Sequence, residues 1–235
     1  ETRALNAQGE KRFFADFALW KKANENDMQI WRSPWGDGNP GWHIECTAMS
    51  TKYLGETFDI HGGGLDLKFP HHEDEIAQSC GSSGKAPAKF WMHANMLNVN
   101  GKKMSKSLGN FFLPQEIVEG ATDLFNKAYA PNVLRFFMMQ SHYRSTLDLT
   151  QDALNASEKG LARLTEAIET LDQITVADKS SFDVKAIVES FYDAMNDDFN
   201  APILIAGLFD AVKKINLIKD GKESISQQDQ KVLLA

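Results

Sequence analysis

The chemistry-bearing side chains of this chain gather in its first half. In 70–75, Pro-His-His-Glu-Asp-Glu, a proline at a first-turn position opens a helix. His71 and Glu75 are four apart, a spacing that puts both side chains on one helical face, about one turn apart, where they can chelate one ion. Cys46 lies 25 residues before His71, near the start of a second helical stretch over 44–54, and offers a thiolate. Cysteine, histidine and glutamate together suit zinc, and three ligands with one position left open is the arrangement of a catalytic rather than a structural site. His72, three residues from Glu75, competes with His71 for that role. The plainer alternative is a capped, solvated helix start and a small core cysteine. Cys80 fits a structural or exposed position at a helix end.

Two further segments suit a nucleotide. A strand pattern over 58–61 runs into Gly62, Gly63 and Gly64, where the backbone can approach a ligand closely, and Asp66 follows as an acceptor for vicinal hydroxyls. Alone, such a segment is more often just a flexible turn. The run 101–110, Gly-Lys-Lys-Met-Ser-Lys-Ser-Leu-Gly-Asn, is more specific. Its ammonium groups, Lys103 and Lys106 among them, can neutralise charge developing at a phosphorus centre while serine and backbone donors position phosphates. A merely solvated basic loop leaves Met104 and the repeated Lys-x-x-Lys-Ser order without a reason.

The elements that must position these groups change character along the chain. Residues 1–112 hold most of the glycines and all five tryptophans, in short apolar runs separated by turn signals such as 33–38, Ser-Pro-Trp-Gly-Asp-Gly. This part is predicted to be loop-rich α/β, with a strand-like stretch at 91–99. After Pro131 the apolar residues recur at three, four and seven, through Val133, Leu134, Phe136 and Phe137 and later Leu154, Leu161, Leu164, Ile168 and Leu171. The spacing predicts amphipathic helices over about 150–174, 181–196, 201–219 and 226 to the end, packed as a bundle.

Composition narrows the function classes. The 235 residues carry 25 basic and 32 acidic side chains, a net charge of −7. Residues 1–150 are close to neutral, with 16 basic against 17 acidic groups, while 151–235 hold 9 against 15. A polyanion must therefore be held by local clusters such as Lys102, Lys103 and Lys106. No stretch approaches the roughly 18 apolar residues of a membrane span, and no secretory signal pattern opens the chain. With Cys46 and Cys80 as its two cysteines, it has no disulfide scaffold, which points to a reducing cytoplasm.

The lysine loop, Lys103-Met104-Ser105-Lys106-Ser107, resembles the second signature of class I aminoacyl-tRNA synthetases. With 41–46 (Gly-Trp-His-Ile-Glu-Cys), the 61–75 block and 195–200 (Met-Asn-Asp-Asp-Phe-Asn), the chain resembles the cysteinyl-tRNA synthetase family from about Arg12 to Leu217. The resemblance implies a fold: the second half of a Rossmann-type catalytic domain over 1–112, a stem-contact-like connecting region over 113–150, and the start of a DALR-like helical tRNA-binding region over 151–235. It also implies an internal fragment, inactive alone, without the H-I-G-H signature and the fourth zinc ligand, a cysteine.

The same resemblance implies ATP-dependent attachment of L-cysteine to tRNA(Cys) through a cysteinyl-adenylate, with Mg2+ accompanying ATP, in a monomeric enzyme. Zinc would be held by Cys46, His71 and Glu75; Gly62, Gly63, Gly64 and Asp66 would sit beside the ATP ribose, and Lys106, supported by Lys103, would stabilise the adenylation transition state. Trp42 resembles the aromatic wall of the cysteine site, and His43 and His61 read either as pocket lining or as satisfied structural histidines. Cysteine and serine differ by one atom, and size alone discriminates by only about 1–3 kcal/mol. A thiophilic cation supplies selection that shape cannot. Two alternatives stay open: a zinc-dependent cysteine ligase of mycothiol biosynthesis, separable by acceptor assays with tRNA against glucosaminyl-inositol, and a non-catalytic RNA- or zinc-binding module, separable by titration against tRNA.

Overall fold

The computed structural model describes residues 12, 13 and 15–235; the opening of the expected 1–112 segment lies outside the described residues. The chain divides into two compact units, up to Ala94 and from Asn95 onward.

The first unit is a βαβ unit with a preceding hairpin and helix. Strands β1 (Trp20–Lys22) and β2 (Gly38–Pro40) pair antiparallel and deliver the chain to helix α1 (Trp42–Leu54). Strand β3 (Phe58–Gly64) pairs in parallel with β4 (Ala88–Ala94), and helix α2 (Glu73–Ser83) lies between them in sequence, the crossover that a parallel pair requires. Before α2 the chain makes a 3-10 turn at Leu65–Leu67 and a wide turn at Lys68–His72, in which Phe69 is extended (φ −137°, ψ 132°). Three acidic residues, Glu73, Asp74 and Glu75, fill the first turn of α2, where the helix dipole favours negative charge. Gly84, left-handed at φ 75°, ends the helix.

Gly62–64 differ from their expected role as a turn. All three are ladder residues of β3, opposite Met92, His93 and Ala94. The strand continues because β4 supplies its hydrogen bonds, and close neighbours account for glycine: a Cβ on Gly63 would lie 2.7 Å from Cε1 of His72, and one on Gly64 would lie 2.4 Å from Oδ1 of Asp66.

The second unit has an ordinary apolar core. Strands β5 (Leu97–Val99), β6 (Lys102–Lys103) and β7 (Leu147–Leu149) form a small sheet in the order β6-β5-β7. The strand-like stretch expected at 91–99 is thus two strands in two sheets, parted at Asn95 and Met96, where Asn95 donates from its N–H and Nδ2 to the carbonyls of Tyr143 and Arg144 instead. Helices α3 (Pro114–Glu119) and α4 (Pro131–Met139) each begin with proline in the first turn, where the missing N–H costs nothing. Val99, Ile117, Tyr129, Leu134, Leu149 and Leu154 are among the buried residues that join sheet and helices.

Four helices follow close to their expected bounds: α5 (Gln151–Gln173), α6 (Val184–Asn196), α7 (Ala201–Lys219) and α8 (Gln227–Leu234). Three of them, α5, α6 and α8, start on side-chain caps, and α7 starts with Pro202 in its first turn. Thr150 Oγ1 accepts from the Ala153 N–H, Asp183 Oδ1 from Ala186 and Ser226 Oγ from Asp229. A second cluster, with Leu171, Val184, Val212, Ile215 and Ile225, closes this bundle, and α5 serves both clusters. No helix among the described residues is long and apolar enough to cross a membrane.

Leu154 is fully buried (0% exposed) at the start of α5. Leu154→Ala is expected to destabilise the protein by about 2–5 kcal/mol, through lost burial and the cavity left behind, as read by denaturant unfolding.

Candidate metal and nucleotide site

The buried interior of the first unit is polar. His71, His72, Asp74, Glu75 and Ser79 are buried, whereas the apolar Ile60, Phe90, Trp42 and Leu54 are more than half exposed. Burying ionisable groups is costly unless each finds a partner, and here the partners are mainly one another.

Glu75 is the hub. Its side chain is 4% exposed, with Oε1 2.9 Å from Nε2 of His71 and Oε2 3.2 Å from Nε2 of His61. The Cys46 thiol, from α1, lies within hydrogen-bond reach of the same carboxylate. Two sets of donor atoms converge, all within 4.8 Å of one another in each set: Cys46, His71 and Glu75; and His61, His72 and Glu75. Of the two histidines that the sequence left in competition, His71 therefore faces Cys46, and His72 joins His61. Helix periodicity brings His71 over Glu75, α1 contributes Cys46, and β3 brings in His61.

Electrostatics prepare these groups to bind a cation. Burial pushes the His72 pKa down to about 4, with the neighbouring His61, His93 and His71 adding to the shift. His61, His71 and His43 are lowered too, first by burial and then by adjacent charge, so neutral rings with free lone pairs prevail at neutral pH. Burial raises Glu75 and also raises Cys46, the latter helped by the nearby Glu75 carboxylate. Oε1 of Glu75 is buried without a hydrogen-bond partner although His71 Nε2 is in contact distance. A borderline cation with nitrogen, sulfur and oxygen ligands satisfies that oxygen and holds the thiol as thiolate, so the donor set fits zinc.

Aromatic rings wall the cluster. Trp42, the first residue of α1, is 59% exposed, and its ring centroid is 4.5 Å from that of His71. Trp91 of β4 stacks on His61 at 4.7 Å. His93 was not anticipated from sequence; its Nε2 is 2.9 Å from Nδ1 of His72. The alternation of Trp91 and His93 along one strand was the available signal. Asp66 follows Gly64 in the 3-10 turn and lines a cavity of about 570 Å³ with Leu65, Phe69 and Asp74.

The lysine loop lies in the second unit. Lys103 is exposed on β6, and Lys106 opens a short 3-10 turn (Lys106–Leu108), with its Nζ 5.3 Å from the Phe111 ring centroid. The loop is held by its own side chains. Ser105 Oγ accepts from the Leu108 N–H, the Ser105 N–H donates to Asn110 Oδ1, and Asn110 Nδ2 donates to the Lys103 carbonyl. These bonds leave both ammonium groups directed by the backbone yet open to solvent.

Comparison with known proteins identifies the family. Residues 1–159 match the family described as tRNA synthetases class I (C) catalytic domain. The chain belongs to the class I tRNA synthetase family. Residues 190–235 match the DALR domain, so the expected α/β catalytic part followed by a helical bundle stands. Cysteine--tRNA ligases from Bacteroides fragilis and Bacteroides thetaiotaomicron are 55% and 56% identical over 232 and 234 residues, each covering 99% of this chain. The ligase from Porphyromonas gingivalis is 53% identical over 228 residues, 97% of this chain. The matched segments are 47%, 48% and 46% of those relatives, so the chain spans about half the length of the curated relatives it matches. Among solved structures, the LeuRS of a ternary LeuRS-tRNA-LeuAMS complex from Agrobacterium radiobacter K84 shares the fold, with TM-score 0.60 at 15% identity over 87% of this chain and 31% of that one.

The close approach at Gly63 gives a paired test. Gly63→Ala is expected to push His72 aside and cost about 1–3 kcal/mol in denaturant unfolding. Gly62→Ala, whose Cβ would meet only Met92 O at 3.9 Å, is expected to stay within about 1 kcal/mol of wild type.

Proposed function

We propose that this chain is part of an enzyme that attaches L-cysteine to tRNA(Cys) at the expense of ATP, by way of a cysteinyl-adenylate. The observation that carries this reading is the convergence of Cys46, His71 and Glu75 on one point in a polar interior; relatives named cysteine--tRNA ligase at 53–56% identity support it. Cys46, His71 and Glu75 would hold zinc, which supplies a thiophilic Lewis acid for recognition of the substrate sulfur. Trp42 bounds the pocket for the cysteine side chain, and His61 faces the same carboxylate from β3.

Asp66, with the glycines of β3 beside it, accepts hydrogen bonds from the ATP ribose. Lys106, supported by Lys103, neutralises charge that develops as the cysteine carboxylate attacks the α-phosphorus and pyrophosphate, with its Mg2+, departs. Such phosphoryl chemistry is carried by positioning and charge. Residues 113–150 connect this part to the helices of 151–235, which contact tRNA; the DALR match favours a tRNA acceptor over an amino-sugar. The enzyme acts as a monomer in the reducing cytoplasm, where neither Cys46 nor Cys80 enters a disulfide.

Cysteine-dependent ATP–pyrophosphate exchange by the full-length enzyme of which this chain is part tests the reading; the chain alone is expected to give none. Exchange is expected with cysteine and not with serine, and Lys106→Ala is expected to lower kcat by about 10²–10³-fold. Equal exchange with serine, or an unaffected Lys106→Ala variant, would contradict it.

A further inference from the structure

The Glu75 carboxylate faces two groups of donors. Oε1 is 2.9 Å from Nε2 of His71, and Oε2 is 3.2 Å from Nε2 of His61. His71 belongs to the set with Cys46, whereas His61 belongs to a set with His72, whose donor atoms and that of Glu75 also lie within 4.8 Å of one another. Zinc at the first set leaves the second with two imidazoles and a carboxylate oxygen, and without a task.

The second set has the dimensions of a cation site. Bonds of about 2.0–2.2 Å to nitrogen and oxygen in tetrahedral geometry place neighbouring donors about 3.3–3.6 Å apart, and Nε2 of His61 stands 3.2 Å from Oε2 of Glu75. Nδ1 of His61 is buried without a hydrogen-bond partner, so the protein alone leaves that ring under-satisfied. Nδ1 of His72 lies 2.9 Å from Nε2 of His93. Such a contact on one ring nitrogen orients an imidazole whose other nitrogen binds a metal. Trp91 packs on both rings, at centroid distances of 4.7 Å to His61 and 5.1 Å to His72, and Gly63 leaves the space that the His72 ring fills.

We propose that His61, His72 and Glu75 form a second, sulfur-free seat for a divalent transition-metal cation, filled after the seat of Cys46, His71 and Glu75 and sharing the Glu75 carboxylate with it. The proposal rests on the zinc reading for the first seat and assigns its neighbour. Imidazole and carboxylate ligands suit zinc, cobalt and nickel, whereas the thiolate of the first seat favours softer ions. Pairs of divalent cations occur about 3.5–4 Å apart in two-metal sites. The charges of Glu75 and of the Cys46 thiolate offset part of the repulsion between the ions, and the remainder makes the second bind more weakly.

The test is a cobalt titration of the full-length enzyme of which this chain is part, followed by absorption, with unfolding of the metal-free variants measured alongside. The first equivalent is expected to bring sulfur-to-cobalt charge-transfer absorption. The second, bound at least about tenfold more weakly, is expected to add ligand-field absorption and no further charge transfer. His61→Phe and His72→Phe are each expected to keep the first equivalent with its charge-transfer band, which shows them folded, and to lose the second. His71→Phe is expected to weaken the first and keep the sulfur-free equivalent. A single equivalent in wild type, carrying the sulfur-derived band, would overturn this proposal and leave the zinc reading standing; so would a second equivalent that survives in both His61→Phe and His72→Phe. Cobalt that shows no sulfur-derived band yet is lost in His72→Phe would overturn the reading of Cys46 as a ligand and keep the seat proposed here. Uptake of no cobalt would overturn both.

Discussion

The buried carboxylate of Glu75 is the constraint on which the first unit depends. It stands 4% exposed among His61, His71 and the Cys46 thiol, in a unit whose large apolar side chains lie largely at the surface. An isolated charge there would cost far more than a small unit can recover from packing. The sequence meets this cost with a set of neutral rings and a thiol whose donor atoms converge on the same point, and the local geometry serves that set. The turn that leads into α2 stacks His71 over Glu75, α1 brings in Cys46 and His43 three residues apart, and glycine at position 63 lets the His72 ring approach the β3 backbone.

The second unit solves a different problem by ordinary means. Its helices bury Leu154, Leu171, Ile215 and Ile225 in two apolar clusters, so its shape is set by hydrophobic periodicity and caps rather than by ionisable groups. On this frame the lysine loop is a surface device. Ser105 and Asn110 fix its backbone while Lys103 and Lys106 remain solvated, as suits cations that meet a polyphosphate.

Legibility from sequence followed the range of the interactions. The helices after Pro131 were readable because period and caps are local, and the His71–Glu75 pair because four residues make one helical turn. Convergence of Cys46 with that pair is a tertiary event, and spacing could only allow it. Two features escaped for the same reason. The glycines read as a turn because nothing local shows that β4 pairs with them, and His93 was missed because it reaches His72 only through that pairing. His43 stayed open between pocket lining and a structural role, and Asp74 had none, because their contact joins two helices across 31 residues of sequence.

The central claim, that this polar interior exists to bring a cation to the sulfur of cysteine, is tested most directly by X-ray absorption at the zinc edge of the intact, zinc-loaded protein, with and without cysteine. The account predicts that cysteine adds one sulfur to the metal's first coordination shell and that serine adds none. An unchanged sulfur count on adding cysteine would contradict it.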